Sequence, residues 1–409
     1  MRDELTGEWL FGYVDALQCA GIDTDIVCVS ALVDEPVRWQ HAATQAPIWL
    51  LPASRAYRRL RRRLSDPYAW SAREALGDVS RTSLPMGILA RHAAPYCATP
   101  LVTLARRIRR ENYQAVLCQE YESPRFDVCV GLGTILRRPV FATFQGGNYH
   151  LTRLEDLTRP IALHACRGVI VGSAAEAQRV QDRYRLNSRK IARIFNPLDV
   201  TSWSRREGPT ARAELGIDQD ALLVVWHGRV DLHRKGLDVL VDAWWRLGEA
   251  FRDKELRLLL VGTGSDAEEL RRRITKAALG GVHLVDEYVL DRRRLQRYLS
   301  AADVYVFPSR NEGFPLAVIE ALASSLPVVA ADAPGVRDII ENGEESGGLI
   351  VPQGDGAALA SGLERILRDD ALREELARRA RRRAETAFTP ESVGRQLHDF
   401  LIARGAQVA

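Results

Sequence analysis

Short apolar runs alternate with helix-period segments along nearly the whole chain. In the first half, DIVCVSAL (25–32), AVLCQEY (115–121), PVFATFQ (139–145) and GVIVGS (168–173) read as buried strands, being continuous and rich in valine and isoleucine. GEWLFGYVDALQCAG (7–21) and SAAEAQRVQDRYRL (173–186) carry helical periodicity between them. The second half repeats the plan with LLVVWHGRV (222–230), LRLLLVGTG (256–264), GVHLVDEYV (281–289), VYVFPS (304–309) and PVVAAD (327–332). Strands alternating with helices predict an α/β chain whose parallel sheets are covered on both faces, and two such halves predict two doubly wound, Rossmann-like domains. Proline, glycine and serine interrupt the pattern at FNPLDVTSWSRREGPT (195–210), so the domains are expected at 1–200 and 201–388. A last amphipathic helix, ESVGRQLHDFLIA, falls in 389–409 with no strand after it. The start is irregular. A doubly wound domain ordinarily opens with a strand, yet Met1 to Thr6 is too short and too polar for a central one, so the first strand is expected to be missing.

Composition narrows the class without changing this picture. The 409 residues, 46% hydrophobic and 27% charged, suit a globular protein of two domains. No apolar run reaches the ~18 residues that span a bilayer, and the N-terminus lacks a secretory pattern, so a cytoplasmic location is expected. The six cysteines form no C-x-x-C pair and no metal-ligand spacing, which predicts buried free thiols and no metal site. Net charge is only +4, but arginines cluster in SRAYRRLRRRLSDPYAW, the run Arg55 to Arg63. Tyr57, Leu60, Leu64, Tyr68 and Trp70 give that run an apolar side. It reads either as a solvated surface helix or as a peripheral contact with the anionic inner face of a membrane. No aromatic platform or groove-reading motif accompanies the charge, which argues against nucleic acid as a partner.

Candidate chemistry gathers at the predicted carboxyl ends of the second-half strands, where open parallel sheets bind ligands. HGRVDLHRKG (227–236) follows a buried strand with Gly228, Arg229 and Lys235 in one loop. Two cations beside glycines suit a diphosphate, the alternative being a solvated basic loop. VGTG (261–264) closes another strand with Gly262, and Tyr288 and Val289 in DEYV could offer backbone groups to a planar ring. The most unusual stretch is NEGFPLAVIEALASSLPVV (311–329), an apolar helix carrying Glu320 and preceded by Glu312. A carboxylate in a dry interior is costly unless paired. Both acids could accept from the hydroxyls of a sugar or ribose, or form structural salt bridges. Pro315 fits the first turn of that helix, which would turn the amides around Gly313, Phe314 and Leu316 outward as an anion site.

The series G-R-x5-K-G, V-G-x-G, E-G-F-P-L-x-x-x-E-A-L-A and P-V-V-A-x-D-x-P-G resembles family 4 of the retaining GT-B glycosyltransferases over essentially all of 220–390, and more loosely before that. The resemblance implies a GT-B fold, two Rossmann-like domains facing across a cleft, with the last helix crossing back to the first. It implies that Arg229 and Lys235 bind the donor diphosphate and that Glu312 holds the transferred sugar. Glu320 would then hold the ribose, and Gly228, Gly262, Tyr288, Val289 and Gly313 to Leu316 would line the donor. It further implies a retaining hexosyltransferase without a cofactor or essential metal, using a UDP- or GDP-linked sugar and a glycan, lipid-linked or small acceptor, as in polysaccharide biosynthesis.

Three positions depart from the family pattern. Only Gly7 could stand for the family's Gly-Gly loop. Gln145, in Thr143-Phe144-Gln145-Gly146, occupies a common histidine position, and Ser325 stands where glycine is usual. Gly7, Gln145 and Gly146 are thus the candidate acceptor-side or sugar contacts. A non-catalytic or truncated GT-B protein that binds a nucleotide sugar or a partner is the second expectation.

Overall fold

The computed structural model describes residues 8–61, 92–144, 153–203, 208–252 and 254–406. The chain divides into two compact units. One comprises the chain up to Gly172, Glu176–Ile194 and Val393 onwards; the other comprises Ser173–Ala175 and Phe195–Ser392.

Among the described residues the first unit holds seven strands in two sheets. β1 (Ile26–Ser30), β2 (Val37–Gln40) and β3 (Pro47–Pro52) pair in the order β1-β3-β2. β4 (Val116–Cys118), β5 (Val140–Phe144), β6 (Gly168–Val171) and β7 (Ile191–Arg193) form a parallel sheet in chain order. The pairing of β2 with β3 is antiparallel, against the all-parallel expectation. The sequence pattern also hid β2, β3 and β7. β2 is a largely exposed four-residue segment, β3 is bracketed by prolines, and β7 has three residues.

Successive residues of β5 and β6 point to opposite faces and so build two cores. Val140, Ala142, Phe144, Val169 and Val171 pack with Leu104, Ile108, Phe126 and Leu163. On the other face, Phe141 and Ile170 meet Tyr13, Ala16 and Leu17 of the helix Glu8–Cys19 and Val393, Leu397 and Leu401 of the last helix, Pro390–Ala403. The helix Glu8–Cys19 also sets Val14 against Ile26 of β1, so it covers both sheets. Among the described residues β1 hydrogen-bonds only to β3 and β4 only to β5. Both are mostly half-buried, whereas β5 and β6 are buried throughout.

In the second unit, β8 (Leu222–His227), β9 (Leu256–Val261), β10 (Val282–Val285), β11 (Val304–Phe307), β12 (Val328–Ala331) and β13 (Gly348–Val351) form one parallel sheet. Its order is β10-β9-β8-β11-β12-β13, the Rossmann arrangement, with the direction of winding reversing between β8 and β11. Alternation along β8 sends Leu222, Val224 and Trp226 to one core with the helix Leu237–Ala250. Leu223 and Val225 go to the other core with the helix Leu316–Ala323. The next residue on that second face is His227. β10 ends at Val285 rather than near 289, because the Glu287 amide bonds back to the Val285 carbonyl at 3.0 Å and turns the chain.

Candidate functional site

A doubly wound sheet leaves a crevice where its winding reverses, since the helices after the two central strands cover opposite faces. Here that place is the carboxyl end of β8 and β11, and four of the predicted charged residues meet there. The loop after β8 runs through Gly228, Arg229 and Lys235 to Gly236, the N-cap of the helix Leu237–Ala250. Gly236 has φ 64°, and a β-carbon there would lie 1.9 Å from the Pro308 carbonyl oxygen after β11, so the two loops touch only because this residue is glycine. The contact is reinforced from the other side. The Arg310 amide donates to the Arg234 carbonyl at 2.9 Å, and the Arg310 guanidinium grips both oxygens of Asp238 at 2.7 and 2.9 Å. Burial works against the Asp238 charge, but the Arg310 hydrogen bonds and charge prevail and hold its carboxyl below the usual range.

Across this clamp the Lys235 ammonium reaches Glu312 Oε1 at 2.7 Å, both side chains being largely buried. Arg229 is exposed and, among the described residues, makes no ion pair. The turn after Glu312 is anchored from below. Phe314 is buried and stacks on Phe195 at 5.3 Å, beside Phe388. Pro315 is the N-cap, one position earlier than expected, so the helix starts at Leu316. The Phe314 side chain therefore serves the core, which leaves the backbone of 313–316 and the half-buried Leu316 side chain accessible. Gly335 closes the turn from the far side, where a β-carbon would lie 2.8 Å from the Gly313 carbonyl oxygen.

Glu320 lies in the second turn of Leu316–Ala323 and is only 8% exposed. Its Oε2 sits 2.8 Å from Nε2 of His227, the last residue of β8. Alternation along β8 puts His227 on the face that this helix covers, so the pair follows from the strand register and the connection. Tyr305, buried on β11, stands edge-on to the His227 ring at 5.4 Å. Burial first, then the charges of Glu320 and Glu312, push the Tyr305 phenol well above its ordinary value against the hydrogen bond to the His227 carbonyl. Both glutamates thus converge above Tyr305, each with a basic partner. The sequence reading missed His227, although it is a lone polar residue closing an apolar strand immediately before Gly-Arg.

The remaining predicted residues fall elsewhere. Gly262, with φ 144°, would place a β-carbon 1.9 Å from the Gly228 carbonyl oxygen, so it lets the loops after β8 and β9 meet. Tyr288 and Val289 lie in the loop after β10, the edge strand two positions from the crevice. Tyr288 is exposed, while Val289 packs on the core. Gly7, Gln145 and Gly146 lie outside the described residues. Of the arginine run, the helix Arg55–Arg61 is described. Arg55 and Arg59 are exposed and Arg58 pairs with Asp34, while Arg62 and Arg63 lie outside. No cluster of three His, Cys, Asp or Glu side chains able to hold a metal is present among the described residues.

The first unit has its own polar cluster at the carboxyl ends of β4 and β6, which sequence spacing did not disclose. Arg179 binds Glu122 at 2.6 Å and Glu176 at 2.7 Å, and beside it the fully buried Arg159 binds Asp127 at 2.8 Å. Burial pushes the Glu122 carboxyl up in spite of Arg179.

Comparison with known proteins bears on the whole arrangement. The family model described as Glycosyl transferases group 1 matches residues 208–383, and the one described as Glycosyltransferase Family 4 matches 70–202. A phosphatidyl-myo-inositol mannosyltransferase of Mycobacterium leprae is 40% identical over 154 residues, 37% of this chain and 38% of that one. A D-inositol 3-phosphate glycosyltransferase of Nocardioides is 29% identical over 252 residues, 59% of this chain and 54% of that one. The chain thus spans little more than half, or less, of the length of these relatives. The solved Anabaena HepE in complex with UDP superposes with a TM-score of 0.64 at 19% identity, over 74% of this chain and 82% of that one. With both halves matched by glycosyltransferase models and the crevice built as described, the chain belongs to the group 1 glycosyltransferases and has their GT-B fold of two Rossmann-like domains.

Proposed function

We propose that the chain is a retaining, metal-independent hexosyltransferase that moves a sugar from a nucleoside diphosphate donor to a hydroxyl acceptor. One observation carries the reading: Arg229, Lys235, Glu312 and Glu320 converge where the winding of the second sheet reverses. A UDP- or GDP-linked sugar fits that charge pattern, and UDP in the related Anabaena structure favours the uridine donor. The names of the relatives favour an inositol-bearing acceptor, free or lipid-linked, over a glycan.

In this reading the donor diphosphate takes the Arg229 guanidinium and competes for the Lys235 ammonium, which frees Glu312 to accept from a sugar hydroxyl. Glu320 accepts from the ribose, and the amides opening the helix Leu316–Ala323 face the phosphate. The bond from the anomeric carbon to the phosphate oxygen breaks as the acceptor oxygen bonds that carbon from the same side. The acceptor proton passes to the departing diphosphate. Negative charge grows on the leaving oxygen, and the two cations stabilise it in a site poor in water. Gly7, Gln145 and Gly146 are assigned to the acceptor side on the family resemblance alone.

Location at the inner face of the membrane, through the Arg55 to Arg63 run, belongs to the same proposal. No helix among the described residues is long and apolar enough to cross a membrane. The second reading, a nucleotide-sugar-binding protein without transfer activity, is favoured by the half-buried, unjoined strands β1 and β4. Thermal unfolding with UDP, GDP and their sugars, followed by NMR detection of product and its anomeric configuration, tests the proposal. Absence of any shift sinks both readings, and a shift without transfer or hydrolysis selects the second.

A further inference from the structure

We propose that His227 is a positioning residue that holds Glu320 in the one orientation able to receive a nucleotide's ribose diol. The inference rests on the donor-site reading above and goes beyond it, because His227 touches no ligand in that scheme. Glu320 enters the crevice from a short helix whose other surroundings are apolar. Unheld, its side chain could turn among several rotamers, and its charge would lack a partner in a dry site.

The structure supplies a fixed donor. His227 closes the central strand β8, is 8% exposed, and meets Glu320 Oε2 at 2.8 Å. Tyr305 packs edge-on against the ring, and the Tyr305 hydroxyl donates to the His227 backbone carbonyl at 3.4 Å. A carboxylate only accepts, so the ring donates from Nε2. Its Nδ1 is buried and has no hydrogen-bond partner among the described residues. With Oε2 taken, Oε1 is the oxygen left for a ribose hydroxyl. The ring thus converts a mobile acid into a directed acceptor.

The test compares reach at fixed polarity. A glutamine amide at 227 can place an N–H near the position of Nε2, whereas asparagine falls short and leucine has no donor. Affinities for UDP and 2′,3′-dideoxy-UDP, and for the guanosine pair, are measured by calorimetry on the full chain. Melting curves confirm that each variant is folded. Wild type is expected to prefer the ribonucleotide, and His227→Leu and His227→Asn are expected to lose about 10-fold in its affinity. Dideoxynucleotide affinity should stay within about twofold, and His227→Gln should restore the preference. Should the variants weaken both nucleotides equally, or should asparagine restore as well as glutamine, His227 is only a packing residue and the proposal fails. If Glu320→Ala keeps the ribose preference, or if wild type binds neither nucleotide, the donor-site reading itself falls and takes this one with it. If Glu320→Ala abolishes the preference while His227→Leu keeps it, only the positioning role is overturned.

Discussion

Replacing Ser325 by glycine should stabilise the second unit. The helix Leu316–Ala323 ends in a two-bond C-terminal motif, with the Ser325 amide donating to the Leu322 carbonyl at 3.0 Å and the Leu326 amide to the Ala321 carbonyl at 3.0 Å. This motif requires a left-handed residue, and Ser325 adopts φ 57°. A side chain in that region costs about 1–2 kcal/mol. Glycine removes the cost but adds about 0.5–1 kcal/mol of unfolded-state entropy. The balance is about 0.5–1 kcal/mol in favour of glycine, or roughly 1–4 °C in melting temperature for a unit of this size. Circular dichroism melts of Ser325→Gly, Ser325→Ala and Ser325→Val separate the causes. Alanine keeps the β-carbon and should match serine, while β-branched valine should melt lowest. Equal melting temperatures for glycine and alanine would refute the argument from backbone geometry.

Other consequences follow from the same contacts. Glu320→Ala and Arg229→Ala should each weaken nucleoside diphosphate binding by about 10-fold or more in calorimetry, and unchanged affinity would remove those residues from the site. Gly236→Ala should destabilise the second unit by about 2 kcal/mol or more, because its β-carbon meets the Pro308 carbonyl, and a melt within 1 °C of wild type, roughly the assay error, would contradict that geometry. The Asp238 carboxyl is held below its unfolded value, so its pairing with Arg310 stabilises above that value and fades as pH falls through the folded one. Urea unfolding should therefore show a stability gap between wild type and Arg310→Gln that is full at pH 7 and shrinks below about pH 4, and a gap that widens in acid excludes the pair as its source. Changing Arg55 and Arg59 to glutamine should reduce co-sedimentation with anionic liposomes, and equal sedimentation dismisses the membrane contact.

Much of the fold was legible because buried parallel strands are continuous apolar runs, and β8, β9, β11 and β12 announce themselves that way. Strands with another local signature were not. β2 is polar and exposed, β3 is framed by prolines, β7 has only three residues, and β13 is a mostly half-buried edge strand that opens on glycine. The site divides similarly. Arg229, Lys235, Glu312 and Glu320 stand out as charges beside glycine or inside apolar sequence. The glycines were legible as special, but the sequence did not show that Gly236, Gly262 and Gly335 each make room for the backbone of a neighbouring loop.

By itself, then, the sequence determined the α/β class, the Rossmann repetition and the four charges with their spacing, because these are local patterns of residue type. It also flagged Ser325, whose left-handed backbone explains why glycine is the usual choice there. Tertiary structure alone decided what each charge faces. Lys235 meets Glu312 across 77 positions and His227 meets Glu320 across 93, distances closed only by the sheet order that places β8 beside β11. Pairing between strands far apart in the chain depends on the burial of whole faces. No window of neighbouring residues can therefore disclose which base answers which acid.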